Sequence, residues 1–183
     1  MKQLLPILTL TTLAAAASAQ SASGLNYNTA SFSRSSQDNV LGVQGLLGGS
    51  NVLAAVQVSS NDNAGTQLTL GYVFHSVFQS TDLVLTASTM SHHDGTSGTV
   101  YGLTARRQLN EVVNGLEASI GFTSTMHNDV TKDFIAGGAA DAAASAWNTE
   151  LAYNINKNYQ IAGGLVSFKG QSYHYVLSLR YNF

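Results

Sequence analysis

The chain has 183 residues, no cysteine, a formal net charge of −2 and only 10% charged residues. The missing cysteine excludes a disulfide framework, and the charge excludes a basic nucleic-acid-binding face. A water-soluble domain carries about 25% charged residues, so this composition lacks the material for a solvated coat, and the length suits one domain.

Met1-Lys2-Gln3 is a short basic start, followed by the apolar run from Leu4 to Ala16 and the small-residue site Ala17-Ser18-Ala19. This pattern predicts a secretory signal peptide over residues 1–19, cleaved before Gln20, with the domain over 20–183. A spanning helix needs about 20 apolar residues, and this run is shorter. No Cys follows the cleavage site to carry a lipid. Beyond the leader the lysines are Lys132, Lys157 and Lys169, all in predicted loops or turns. The single proline, Pro6, lies in the leader and interrupts no predicted strand.

From Gly24 onward the sequence alternates in segments of about ten residues bounded by turn chemistry. The first is Gly24–Ser33, with Leu25, Tyr27 and Thr29 on one face. Asn39–Leu47 sets Leu41, Val43 and Leu47 against Gln44, and Gly48-Gly49-Ser50-Asn51 turns it into Val52–Ser60, where Val52, Ala54, Val56 and Val58 oppose Gln57 and Ser59. The pair reads as a hairpin. Thr66–His75 places Leu68, Leu70, Tyr72 and Phe74 on one face, and a longer connection, Ser76–Asp82, leads into Leu83–Ser91, the least regular segment. Thr99–Leu109 shows Tyr101, Leu103 and Ala105 opposite Gly102, Thr104 and Arg106. Leu116–Met126 sets Leu116, Ala118, Ile120 and Phe122 opposite Glu117, Ser119 and Gly121. The longest loop, 127–146, contains the low-complexity run Gly137–Ala144. Trp147–Ile155 has Trp147, Leu151 and Tyr153 against Asn148, Glu150 and Asn154, and Tyr159–Phe168 follows a turn at Asn156-Lys157-Asn158.

The last stretch, Tyr173–Phe183, alternates without a break. Tyr173, Tyr175, Leu177, Leu179, Tyr181 and Phe183 fall on one face, and His174, Val176, Ser178, Arg180 and Asn182 on the other. Period two is the mark of a strand, and aromatics at the ends of an apolar face with leucines between them suit a lipid-facing strand. Ending on Phe183 with Tyr181 two places earlier, the chain resembles the small porin-like outer-membrane β-barrels of bacteria. That resemblance implies a membrane-spanning antiparallel up-and-down barrel with both termini periplasmic. It also implies that Tyr181 and Phe183 form an assembly signal, with outer-membrane lipid, the barrel-assembly machinery and periplasmic chaperones as partners. Ten strands are expected, an even number that returns both ends to one side; eight follow if the segment at Leu83 merges with its neighbour. The connections 33–38, 61–65, 92–98, 127–146 and 169–172 then face outward, and the oligomeric state is left open.

The same alternation also fits a soluble barrel folded the other way out. The polar faces decide for the membrane reading: Ser, Thr, Asn, Gln, Gly and Ala, with a few charges, make a wet lumen. Expected lumen-lining residues are Gln44, Gln57, Arg106, Glu117, Glu150 and Arg180. The expected aromatic girdles are Tyr27, Tyr72, Phe74, Tyr153, Tyr159, Tyr181 and Phe183 at one rim, with Tyr101, Trp147, Tyr173 and Tyr175 at the other. Arg106 and Glu117 flank one hairpin and suit an ion pair, read first as a brace within the lumen and second as a charged constriction that selects solutes.

No metal and no cofactor is expected. His92, His93, Asp94, His127, Asp129 and His174 share one side, but none has helical ligand spacing, and solvated loop residues are the better reading. Omptin proteases and lipid A-modifying enzymes use similar barrels, yet the omptin acidic pair and Asp-His couple have no counterpart here. A Ser-His-acid set reduces to Ser172, His174 and Glu150, which is generic, so enzymatic activity is not expected. The function expected is a structural or porin-like barrel with a narrow polar lumen for small solutes. The alternatives are a surface-binding barrel presenting loop 127–146 and, behind it, a lipid A-modifying or protease enzyme.

Overall fold

Period-two alternation leaves each segment one option for its backbone polar groups, which is pairing with a neighbouring strand. The computed structural model describes residues 23–35, 39–60, 65–92, 97–125, 145–168 and 173–183. The strands are β1 (Thr29–Ser35), β2 (Asn39–Leu46), β3 (Val52–Ser59), β4 (Gly65–Phe78), β5 (Thr81–His92), β6 (Ser97–Gln108), β7 (Leu116–Thr125), β8 (Ser145–Asn154), β9 (Tyr159–Phe168) and β10 (His174–Asn182). Each pairs antiparallel with the next, and β1 pairs with β10 to close the barrel, Thr29 opposite Asn182 and Phe32 opposite Leu179. Ten strands is therefore the answer, and the irregular segment after Ser76 is a strand of its own. Among the described residues no helix is long and apolar enough to cross a membrane.

Directly opposed residues share a face, so the register sorts inside from outside. One row runs through Tyr175, Leu165, Thr149, Ile120, Ala105, Leu83 and Phe74, and it faces outward. The adjacent row, Val176, Gly164, Glu150, Ser119, Arg106 and Asp82, faces the lumen. Leu41, Leu68, Leu70, Leu103, Leu151, Leu177 and Leu179 are exposed on the outer wall. The outward positions of the described strands carry just two charges, Arg34 and Arg107, and Arg107 sits beside a turn, 2.6 Å from Glu111.

The chain departs from its alternation in three places. β1 begins at Thr29 rather than Gly24, because Gly24 takes a positive φ of 77° and Asn26 Oδ1 accepts the Asn28 amide at 2.8 Å, a local turn that breaks the strand. β4 runs on to Phe78 past an irregularity between Phe74 and Phe78. The long connection expected over Ser76–Asp82 shrinks to a two-residue turn, Gln79-Ser80, whose φ of 42° and 62° match the strand twist of a tight hairpin. The β2–β3 hairpin turns where expected, through a 3-10 turn at Leu47–Gly49. All four described turns, near residues 48, 79, 112 and 156, lie at the end that holds the start of β1 and the finish of β10. That end is called the short-turn end below.

The signal-peptide expectation over 1–19 and the loops at 36–38, 61–64, 93–96, 126–144 and 169–172 fall outside the described residues.

Candidate functional site

Two sets of groups meet in the lumen at the short-turn end. The first is the segment Ser23–Asn28 ahead of β1. Asn28 is tied to both flanks of β1, its side-chain oxygen accepting the Leu46 amide at 3.0 Å and its carbonyl accepting the Phe183 amide at 3.1 Å. Going backward, the chain leaves the wall and crosses the opening. The Asn26 carbonyl accepts two hydrogen bonds of 3.4 Å from Arg106, and the Gly24 carbonyl accepts one of 2.7 Å from Gln108, both on β6. In the closed order of strands β6 lies five places from β1 in either direction. Segment and inward side chains together make a bar across the opening, from β1 to the strand opposite.

Asp82 on β5 anchors the far end of the bar. It is fully buried, and its carboxylate accepts hydrogen bonds from Ser23 Oγ at 2.7 Å, Tyr27 Oη at 2.9 Å and the Ser76 amide at 2.9 Å. His75 Nδ1 stands 2.9 Å from the same carboxylate. A buried carboxylate persists only with such saturation. Tyr27 is held further by Arg106, whose guanidinium carbon lies 4.6 Å from its ring centre. Burial pushes the Tyr27 phenol above its ordinary range, so it donates to Asp82 as the neutral form.

The bar fills one half of the opening with apolar side chains. Leu25, at 0% exposure, and Tyr27, at 1%, pack with Leu46, Leu53, Val73 and Val84 from β2 to β5. Here the structure corrects the sequence reading twice. Tyr27 is no rim aromatic but part of an internal cluster. The lumen is also not polar all round, because Leu46, Leu53, Val73 and Val84 point inward. A soluble core and a lipid face look alike in an alternating segment, and only tertiary contacts separate them.

The second set is a polar relay on the other half, from β6 to β10. Arg106 Nη2 donates to Glu117 Oε2 at 3.1 Å, and Asn154 donates to Glu117 Oε1 at 2.9 Å. Gln160 donates to Asn154 at 3.0 Å, Arg180 donates to Gln160 at 3.1 Å, and Arg180 also pairs with Glu150. Both lumen arginines among the described residues are thus tied to a glutamate. Asn182 Oδ1, buried nearby at the end of β10, has no protein partner and is an acceptor left for water.

Beyond bar and relay lies a cavity of about 310 Å³, far above the roughly 10–15 Å³ that one water needs. Its walls include Ser31, Ser33, Gln44, Gln57, Asn148 and Ser178, with Arg106, Glu150 and Arg180 at its margin. Of the expected lumen residues, Gln44, Gln57, Arg106, Glu150 and Arg180 border this space, while Glu117 is sequestered in the relay. Arg106 belongs to bar, relay and cavity at once. Sequence reasoning missed Asp82, placed in a connection, and the bar itself. A weak signal existed for Asp82, whose phase opposes the outward Leu83, Leu85 and Ala87.

The rim aromatics are exposed on the outer wall: Tyr72, Phe74, Tyr153, Tyr159 and Tyr181 toward the short-turn end, and Tyr101, Trp147, Tyr173 and Tyr175 toward the other. Tyr72 and Phe74 have ring centres 4.8 Å apart, and Tyr159 and Tyr181 5.4 Å. The candidate catalytic set of Ser172, His174 and Glu150 lies only partly within the described residues. Ser172 lies outside them, and Glu150 is engaged by Arg180. No group of three or more metal-ligating side chains occurs among the described residues; of the six expected near the loops, His93, Asp94, His127 and Asp129 lie outside them.

The architecture is that of the small outer-membrane porin barrels. The chain is similar to two solved structures of the KdgM porin. One is of the KdgM porin (11% identity, TM-score 0.53) and the other is of the same porin in complex with disordered oligogalacturonate (11% identity, TM-score 0.52), each match covering 85% of this chain and 98% of the other. It also aligns with outer membrane phospholipase A from Escherichia coli at 13% identity over 86% of this chain and 97% of that one, with a TM-score of 0.35. No family model and no curated protein matches the chain.

Proposed function

We propose that the protein is an integral barrel of the bacterial outer membrane that passes small hydrophilic solutes through a narrow lumen. The observation that carries this reading is the polar cavity of about 310 Å³ enclosed by a wall whose outward rows are aliphatic, with aromatics toward both ends. Lipid accepts such a wall and water does not. In this reading the short turns and both termini are periplasmic, residues 1–19 are a cleaved leader, and Tyr181 and Phe183 are read by the assembly machinery. Transport is favoured over catalysis because both lumen arginines among the described residues are engaged. With Arg106 paired to Glu117 and Arg180 to Glu150, the described lumen offers no row of unpaired cations, and the solutes it suits best are uncharged.

The test is recording from planar bilayers, together with swelling of proteoliposomes in uncharged sugars of graded size. Small conductance steps of weak ion selectivity and swelling in the smallest sugars are expected. A barrel that is silent in bilayers and leaves liposomes tight to the smallest sugar would remove the transport reading.

A further inference from the structure

We infer that Ser23–Asn28 is the size-selecting element of this lumen and that Asp82 is its positioning residue; the inference rests on the transport reading above. Ten strands about 4.8 Å apart and tilted about 40° close a ring roughly 20 Å across between backbones. The six Cα–Cα steps from Thr29 back to Ser23 reach at most about 20 Å. The long side chains of β6 shorten the gap, and the hydrogen bonds run from the β1 flanks at Leu46 and Phe183 to Arg106 and Gln108 on the opposite strand.

The bar divides the opening into unequal halves. On the β2–β5 side Leu25 and Tyr27 seal against Leu46, Leu53, Val73 and Val84. On the β6–β10 side the relay through Glu117, Asn154 and Gln160 remains polar. A solute that enters or leaves the cavity through this end meets the bar on one side and the relay on the other, with Arg106 bridging the two. Two residues of the bar, Ser23 and Tyr27, both end on the Asp82 carboxylate, so one wall side chain gathers two of its anchors. The strand pairing that closes the barrel, β1 on β10, begins at Thr29 and does not include these six residues.

The test compares full-length protein with two variants, Leu25→Ser/Tyr27→Ser and Asp82→Asn, each shown to close as a barrel by heat-modifiable gel mobility. Both are expected to raise single-channel conductance several-fold and to admit larger sugars into proteoliposomes. Asp82→Asn keeps the shape of the side chain, so it carries the test if the double variant fails to close. An unmodified protein that is silent beside conducting variants would make the bar a stop rather than a size filter, and would overturn the inference together with the transport reading. Closed variants with the conductance and sugar limit of the unmodified protein would overturn it while leaving the transport reading intact. Silence in all three would remove the transport reading itself.

Discussion

Arg106 shows at the scale of one residue how this lumen is held. Its guanidinium serves Glu117, the Asn26 carbonyl and the Tyr27 ring together. Glu117 is 4% exposed, and in Arg106→Ala it would keep only Asn154 as a donor. Removing one partner of a buried pair is strongly destabilising, since a charge is left without compensation. Arg106→Ala should lower stability by about 3 kcal/mol, read from the urea midpoint of the folded barrel in detergent. Arg106→Ala/Glu117→Ala should cost less than the two single changes added; strict additivity would show that the pair is not coupled. Tyr27 gives a second expectation. Its phenol titrates higher in the folded barrel than its ordinary value of 10.0. A raised folded pKa contributes stability that is complete below the unfolded value and is lost as pH climbs from there toward the folded one. Stability should therefore fall above about pH 10, and Tyr27→Phe should flatten that fall. Denaturant midpoints taken between pH 9 and 11 check it, and equal slopes in both proteins would rule it out.

The elements were legible in the sequence to the extent that alternation decides them. β2, β3, β7, β9 and β10 lie within a residue or so of their expected bounds because turn residues delimit each of them and the outward and inward rows differ in chemistry at most steps. β1 and the β4–β5 turn were misplaced for two physical reasons. Leu25 and Tyr27 alternate as a strand would, but face an apolar cluster. Gln79 and Ser80 adopt left-handed backbone without the Gly or Asn that usually marks such a turn. The packing of neighbouring strands was not legible either, and glycines expose it. A Cβ at Gly71 would sit 2.7 Å from the Leu85 carbonyl oxygen, and one at Gly164 2.7 Å from that of Thr149. Backbone atoms cannot swing aside, so Gly71→Ala and Gly164→Ala should each cost about 1–3 kcal/mol. Gly163, one place along and facing outward, meets nothing closer than the Leu177 side chain at 3.7 Å, and Gly163→Ala should be near neutral. Thermal midpoints of the three variants compare them directly; a Gly163→Ala barrel as weakened as the other two would contradict the register.

For the whole molecule, the polar lining of the cavity was readable from Gln44, Gln57, Arg106, Glu150 and Arg180, which share the inward phase. The bar was not, since a segment that crosses a ring leaves no periodic trace. Everything at this scale depends on the outward rows meeting acyl chains. The chain has no cysteine, so single cysteines report position without background. In proteoliposomes, a small water-borne thiol reagent should label Val176→Cys and Ser178→Cys, which face the lumen, and spare Leu177→Cys and Leu179→Cys, which a lipid-dissolved quencher should reach instead. Water-borne labelling of positions 177 and 179, with 176 and 178 protected, would mean that the wall faces water and that the barrel does not reside in a membrane.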